Sequence, residues 1–209
     1  MRIDGHDVLI VVDVQNDFCP GGALAVAEGD LVVDAIHRIA PRFEHIVLTQ
    51  DWHPPDHTSF ATAHSGKKPF EQIELDYGLQ TLWPPHCIQG SRGAELHPAL
   101  QLTRAELIVR KGFDPRVDSY SAFFENDRVT PTGLAGYLEE RDLTRVFFAG
   151  LAYDFCVGYS ALDARRLGLP AFIFRNACRA IDLNGSVAKI EAEFARAGVS
   201  VIEYTALPE

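Results

Sequence analysis

The chain has 209 residues, of which 47% are apolar and 23% charged, an ordinary globular composition that excludes disorder, collagen and coiled coil as its main state. Nineteen Lys and Arg against 29 Asp and Glu leave a formal net charge of −10, and no basic run exceeds two residues, which makes the chain a poor candidate for phosphate-backbone binding. No apolar run exceeds the five residues of Val8 to Val12, far short of a membrane span. The opening Met1-Arg2-Ile3-Asp4 lacks the apolar stretch of a secretory signal. Cys19, Cys87, Cys156 and Cys178 are too dispersed for a disulfide scaffold, so a reduced, cytoplasmic location is expected. One domain over 1–209 is expected, since α/β folds commonly reach this length.

Val8 to Val12 is a β-branched run that ends at Asp13 and predicts a buried strand. Asp30 is placed to cap a helix over 31–43, with Leu31, Ala35, Ile36, Ile39 and Ala40 on one face. Strands are predicted at 45–49, ending at Gln50-Asp51, and at 106–110, ending at Lys111-Gly112. Thr130-Pro131 opens a predicted helix to Arg141, with proline in its first turn. A strand at 145–149 runs into Gly150, and a helix follows over 154–167, stopped by Gly168. A strand at 171–174, a helix at 186–197 and a strand at 199–204 complete the pattern. Strands alternating with helices predict an α/β fold, a parallel sheet with helices on both faces. The segment 52–104 stands apart: it is rich in Pro, His and Gly and shows little periodicity, and a segment this long in a compact domain is either functional or holds elements the pattern does not reveal.

In an open parallel sheet, sites lie beyond the carboxyl ends of the strands. Asp13, Asp51, Lys111 and Cys156 all fall there. Singly, each has a plain reading: a turn-capping Asp, a solvated Lys, a small core Cys. Together on one sheet edge they point to a site. Cys156 falls two residues into its predicted helix, where free N–H groups and the helix dipole favour an anion. A neighbouring Lys111 ammonium is expected to lower its pKa further. The resulting thiolate is a nucleophile, and Asp13 is placed to take the thiol proton and return it to a leaving group.

Asp51-Trp52-His53, with His57 and His86, forms a second constellation. Ligands one residue apart on an extended segment can converge on one ion, and N and O donors suit zinc, iron or manganese. Loop histidines satisfied by hydrogen bonds are the alternative, and spacing does not separate the two. Phe18, Trp83 and Tyr120 lie near these loops, as an aromatic wall or as ordinary packing.

Val12-Asp-Val-Gln-Asn-Asp-Phe-Cys-Pro-Gly-Gly-Ala-Leu-Ala-Val26, Thr49-Gln-Asp-Trp-His-Pro54, Trp83-Pro-Pro-His-Cys87, Lys111-Gly112 with Asp118-Ser-Tyr-Ser-Ala-Phe123, and Gly150-Leu-Ala-Tyr-Asp-Phe-Cys-Val157 resemble the nicotinamidases of the isochorismatase-like cysteine hydrolase superfamily. These stretches keep the family order over most of the chain. The resemblance implies a three-layer α/β/α fold around a six-stranded, mainly parallel sheet. It implies a catalytic triad of Asp13, Lys111 and Cys156, and an oxyanion hole from the backbone N–H groups of Ala152 and Cys156 beside a cis Leu151–Ala152 peptide. Phe18, Trp83 and Tyr120 match the substrate-binding aromatics, whereas Tyr153 stands where many relatives carry Thr. Asp51, His53 and His86 match the ligands of one divalent metal ion, zinc first with iron or manganese as alternatives. His57 is a candidate further ligand, direct or through water. The segment 52–104 becomes a metal-binding insertion.

The implied activity converts nicotinamide to nicotinate and ammonia through a thioester, with pyrazinamide as a second substrate and NAD salvage as the setting. The implied partner is that small molecule, with no nucleic acid or membrane; monomer and homo-oligomer both stay open. An amidase of N-carbamoyl compounds or ureidoacrylate would share Asp13, Lys111 and Cys156 without needing the metal group. A ligand-binding module on a Rossmann-like sheet would leave Cys156 an ordinary thiol.

Overall fold

The apolar runs of the sequence become the centre of the computed structural model, which describes residues 2–206. The strands are β1 (Asp7–Val12), β2 (His45–Asp51), β3 (Gln72–Leu75), β4 (Gly78–Thr81), β5 (Leu107–Lys111), β6 (Arg145–Gly150), β7 (Ala171–Cys178) and β8 (Ser200–Ile202). The α-helices are α1 (Val32–Ile39), α2 (Leu134–Glu140), α3 (Gly158–Arg166) and α4 (Ser186–Ala197). Six strands form one sheet in the order β5-β2-β1-β6-β7-β8. Every pair in it is parallel, a stricter arrangement than the mainly parallel one expected. No helix among the described residues is long and apolar enough to cross a membrane.

Burial on both sheet faces explains why β1 and β6 are continuous apolar runs. Leu9 and Val11 point to one side, with Val32, Ile36 and Ile39 of α1. Val8, Ile10 and Val12 point to the other, with Leu134 and Leu138 of α2, Ala161 and Ala164 of α3, and Ile190 and Phe194 of α4. The result is a three-layer α/β/α sandwich. On the α1 side, Phe147 stacks on Phe172 at 4.8 Å between ring centroids and takes the edge of Phe43 at 5.1 Å.

Several boundaries differ from the sequence reading. The helix expected over 31–43 stops at Ile39, and Pro41 opens a separate tight turn, Ala40–Arg42, because proline cannot donate to the preceding turn. Asp30 lies in the turn Gly29–Leu31 and makes no capping hydrogen bond. The helix expected from Thr130 begins at Leu134, after Gly133 takes a left-handed backbone (φ 97°). Pro131 instead bridges to Phe124. The last strand is only Ser200–Ile202.

The segment 52–104 holds the antiparallel hairpin β3–β4, which the sequence reading left irregular. It is also stitched across itself: His53 bridges to Ile88, and Phe60 to Trp83. Strand order positions it. β1 is followed on one side by β2 and on the other by β6, and the crevice at such a reversal is where α/β sheets hold their ligands.

Candidate active site and metal centre

The first residue beyond β1 is Asp13, whose backbone is left-handed (φ 46°). That conformation costs a non-glycine residue about 1–2 kcal/mol. Two hydrogen bonds hold it: Asp13 N–H donates to Thr49 Oγ1 at 3.1 Å, and the Thr49 hydroxyl donates to Asp13 Oδ1 at 2.5 Å. Lys111, the last residue of β5, pairs in register with Asp51, the last of β2. Its side chain is fully buried. The ammonium Nζ lies 2.8 Å from Asp13 Oδ2, makes a short contact to Asp51 Oδ1, donates to Ser119 O at 2.9 Å and reaches Cys156 Sγ at 3.5 Å. The Asp13 contact is ionic and off the hydrogen-bonding direction, so Oδ2 keeps an acceptor position unfilled.

Cys156 arrives from β6. Gly150 has φ 120°, and a Cβ there would strike the Val12 carbonyl, so the close approach of β6 to β1 requires glycine. The Leu151–Ala152 peptide is cis. Tyr153–Val157 then make a π-helical turn before α3, so Cys156 sits in that turn and not two residues into an α-helix. Phe155 and Val157 N–H both donate to Ala152 O, at 3.0 and 3.1 Å. The Ala152 N–H donates to no protein group among the described residues.

Burial works against the expected thiolate. It pushes the Cys156 thiol well above its ordinary range; Lys111 opposes, but Asp13 and Asp51 add to the rise. Burial likewise raises the Asp13 carboxyl, against Lys111 and with Asp51. Asp51 goes the other way: burial resists, but the Lys111 ammonium holds its carboxyl well below the usual range. Lys111 is held well above its own range, burial being outweighed by Asp13 and Asp51. Burial thus works against charge on Cys156 and Asp13, while the Lys111 ammonium and the Asp51 carboxylate hold theirs.

Asp51 connects this group to the histidines. Its Oδ2 lies 3.6 Å from His53 Nε2 and 3.7 Å from His86 Nε2, and one ligand atom from each of the three lies within 4.8 Å of the others. Donors about 2.1 Å from one tetrahedral ion stand about 3.4 Å apart, so the trio fits a single cation. The tautomers fit as well. His53 Nδ1–H donates to Gly112 O and His86 Nδ1–H to Pro84 O, both at 2.8 Å, which leaves each Nε2 lone pair facing Asp51. Gly112 is held to glycine by φ 66° and by the His53 ring, which a Cβ would strike. His57 is engaged elsewhere. Its Nε2 donates to Val117 O at 3.1 Å, and its Nδ1 accepts from Ser59 N–H at 3.2 Å. It stacks near His53, with ring centroids 4.4 Å apart, and groups with His53 and Asp118, outside the Asp51–His53–His86 trio.

Phe18, Trp83 and Tyr120 converge on one small cavity with Asp51, His86, Ala152 and Cys156. Phe155, Leu24, Ile181 and Asp118 complete its wall and were not anticipated from the sequence. Phe155 is central, its ring centroid 5.0 Å from Trp83 and 5.5 Å from Tyr120. Supporting residues were also missed. Gln15 accepts from Asp51 N–H at 2.8 Å and donates to Asp51 O at 2.9 Å. Asp17 accepts from Cys87 N–H at 2.7 Å, next to His86. The signal for these was the polar residues at 13 and 15 to 17, directly after a buried strand, and Thr49 directly after the apolar run 46–48.

The Isochorismatase domain model matches residues 7–203. The nicotinamidase of Acinetobacter baylyi is 55% identical over 202 residues, 97% of this chain and 94% of that protein. A solved nicotinamidase/pyrazinamidase of Acinetobacter baumanii superposes with a TM-score of 0.96 at 52% identity, covering 97% of this chain and 98% of that one. The pyrazinamidase of Pyrococcus horikoshii, solved in complex with zinc, superposes with a TM-score of 0.76 at 32% identity, covering 95% and 99%. The chain belongs to the isochorismatase family.

Proposed function

We propose that this chain hydrolyses nicotinamide to nicotinate and ammonia, and pyrazinamide by the same route, with Asp13, Lys111 and Cys156 as its catalytic residues. The observation that carries the reading is the Lys111 ammonium. From one buried position it meets Asp13 and Asp51, and Cys156 Sγ at 3.5 Å, beside an aromatic-walled cavity. The close nicotinamidase relatives supply the substrate class.

The amide carbon lies over Cys156. As Sγ bonds to it, Asp13 takes the thiol proton on its unfilled Oδ2, so no free thiolate has to exist beforehand. The raised Asp13 carboxyl suits it to holding that proton. The N–H groups of Ala152 and Cys156 receive the oxyanion, each donor worth about 3–4 kcal/mol in comparable sites. Asp13 then protonates the amide nitrogen, the C–N bond breaks, and ammonia leaves a thioester on Cys156. A water, deprotonated by Asp13, attacks the thioester carbon and releases the carboxylate and the thiol. Lys111 stays charged throughout and offsets the negative charge as it moves between Asp13 and Cys156. Phe18, Trp83, Tyr120 and Phe155 hold the ring and exclude water.

Asp51, His53 and His86 would hold one divalent cation, zinc by the donor set and by the zinc-bound Pyrococcus relative, with iron and manganese as alternatives. When bound, it supplies a Lewis-acidic seat for the ring nitrogen. His57 is assigned a supporting role against His53. The segment 52–104 is then a metal-binding insertion within a single hydrolase domain. Four free thiols fit a reducing cytoplasm, and the products fit NAD salvage. The test is ammonia release from nicotinamide, with and without chelation and zinc return, by the wild-type and Cys156→Ala proteins. Turnover by wild type and none by Cys156→Ala is expected; turnover by the variant overturns the mechanism.

A further inference from the structure

Gln80 lies on β4, in the hairpin that stands outside the main sheet, and its side chain is fully buried. Its amide is used at both ends. Nε2 donates to Thr81 O at 2.6 Å and to Asp118 Oδ2 at 2.7 Å, and stands 3.3 Å from the Tyr120 hydroxyl. Oε1 accepts from the Tyr77 hydroxyl at 3.0 Å, with Asn126 Nδ2 at 3.5 Å. Asp118 and Tyr120 are both walls of the catalytic cavity, and Gln80 is not. The Tyr120 hydroxyl also accepts from Trp83 Nε1 at 3.1 Å, which ties a third wall to the same point. From Asp118 the connection runs inward: its Oδ1 accepts from Ser119 N–H at 2.8 Å, and Ser119 O accepts from Lys111 Nζ at 2.9 Å.

We infer that Gln80 is a positioning residue that sets the substrate-facing wall made by Asp118, Tyr120 and Trp83, and so governs how tightly the aromatic amide is held. The inference rests on the proposed amidase reading of this cavity. Only an amide satisfies the position. Asp118 needs a donor and the Tyr77 hydroxyl an acceptor, from one buried side chain. A leucine leaves both unpaired in a dry site. A glutamate keeps the shape but sets a second carboxylate against Asp118. A two-stranded hairpin is marginal alone, so this buried contact ties β3–β4 to the segment that carries Asp118 and Tyr120. Gln80 touches neither Cys156 nor Asp13 in any hydrogen bond of the structure, so its loss loosens binding more than it slows the chemistry.

The experiment compares wild type with Gln80→Leu and Gln80→Glu, each also in a Trp52→Phe background in which Trp83 is the remaining tryptophan. Expected is a KM for nicotinamide raised about tenfold, with kcat within about threefold, in both variants, together with an altered Trp83 emission spectrum. Restoring the lost pair by Gln80→Glu with Asp118→Asn is expected to recover part of the KM. A purely structural role would lower the unfolding midpoint without moving KM, and a KM within twofold of wild type in a folded variant overturns the inference. If Gln80→Leu does not fold, the isosteric Gln80→Glu decides alone. If wild type itself leaves nicotinamide untouched, the amidase reading fails, and Trp83 emission separately decides the positioning: unchanged emission overturns it, changed emission supports it.

Discussion

Replacing Lys111 by Met keeps most of the side-chain volume and removes one charge that three groups share. The ammonium is fully buried between Asp13 and Asp51. Removing one partner of a buried ion pair typically costs about 3–5 kcal/mol, because the charge left behind has no water. Two carboxylates are left here, so the upper end is expected. The rate effect follows from the 3.5 Å between Nζ and Sγ. Two unit charges at that distance attract by about 5 kcal/mol at an effective dielectric of about 20. Part of that is recovered as Asp13 keeps a proton, so kcat/KM should fall about 10³-fold. The pH signature is specific. In wild type the folded Lys111 value lies above its unfolded one, so its stabilisation is complete below about pH 10.4 and is lost as pH rises through the folded value. In Lys111→Met that alkaline loss disappears. The orphaned carboxylates then bind protons more tightly folded than unfolded, so the stability gap to wild type narrows as pH falls from 7 to 5. Urea unfolding at pH 5, 7 and 10.5, steady-state kinetics and the pH dependence of Cys156 alkylation measure all three effects. A variant with activity within tenfold of wild type and an unshifted alkylation profile would refute the role given to Lys111.

Chelation should abolish nicotinamide hydrolysis while leaving Cys156 open to alkylation, because Lys111 pairs with Asp13 and Asp51 without the cation; metal analysis and alkylation on one sample check this. His86→Ala should lower zinc affinity about 10–100-fold or more, whereas His57→Phe should leave one zinc per chain, since both His57 nitrogens are bonded elsewhere. Loss of zinc in His57→Phe would place that ring among the ligands. Phe147→Ala should destabilise the fold by about 3–5 kcal/mol in urea titration, because the ring is fully buried among Phe43, Phe172 and Phe174.

The sheet was legible because its central strands are buried on both faces, which writes them as unbroken apolar runs such as Val8 to Val12 and 146–149. Helix α4 was legible over its full extent for a related reason, a clear apolar stripe closed by glycine at each end. The hairpin β3–β4 was not: both strands have four residues, and in β4 the one large apolar side chain, Leu79, is exposed while polar Gln80 and Thr81 are buried, so the two-residue alternation barely rises above a loop. Helix α2 was overextended because Pro131 reads as a helix opener, while in the fold Pro131 bridges to Phe124 and Gly133 takes a left-handed turn before the helix begins.

The sequence by itself determined which side chains would gather at the carboxyl ends of the strands, since strand order in the chain puts Asp13, Asp51, Lys111 and Cys156 on one edge. Tertiary structure decided their state. Burial, a property of the whole fold, pushes the Cys156 thiol up against the Lys111 charge, a contribution that local reasoning about the helix and the ammonium left out. It also made one ammonium serve both constellations through Asp51, and separated His57 from the trio by giving its nitrogens other partners. Gln80 was invisible for the same reason: its partners Asp118 and Tyr120 lie about 40 residues away in the chain, and only packing brings a hydrogen-bonding amide between them. Identity and order are local and are written in the chain; proton positions and shared charges depend on distance and dielectric, which exist only once the chain has folded.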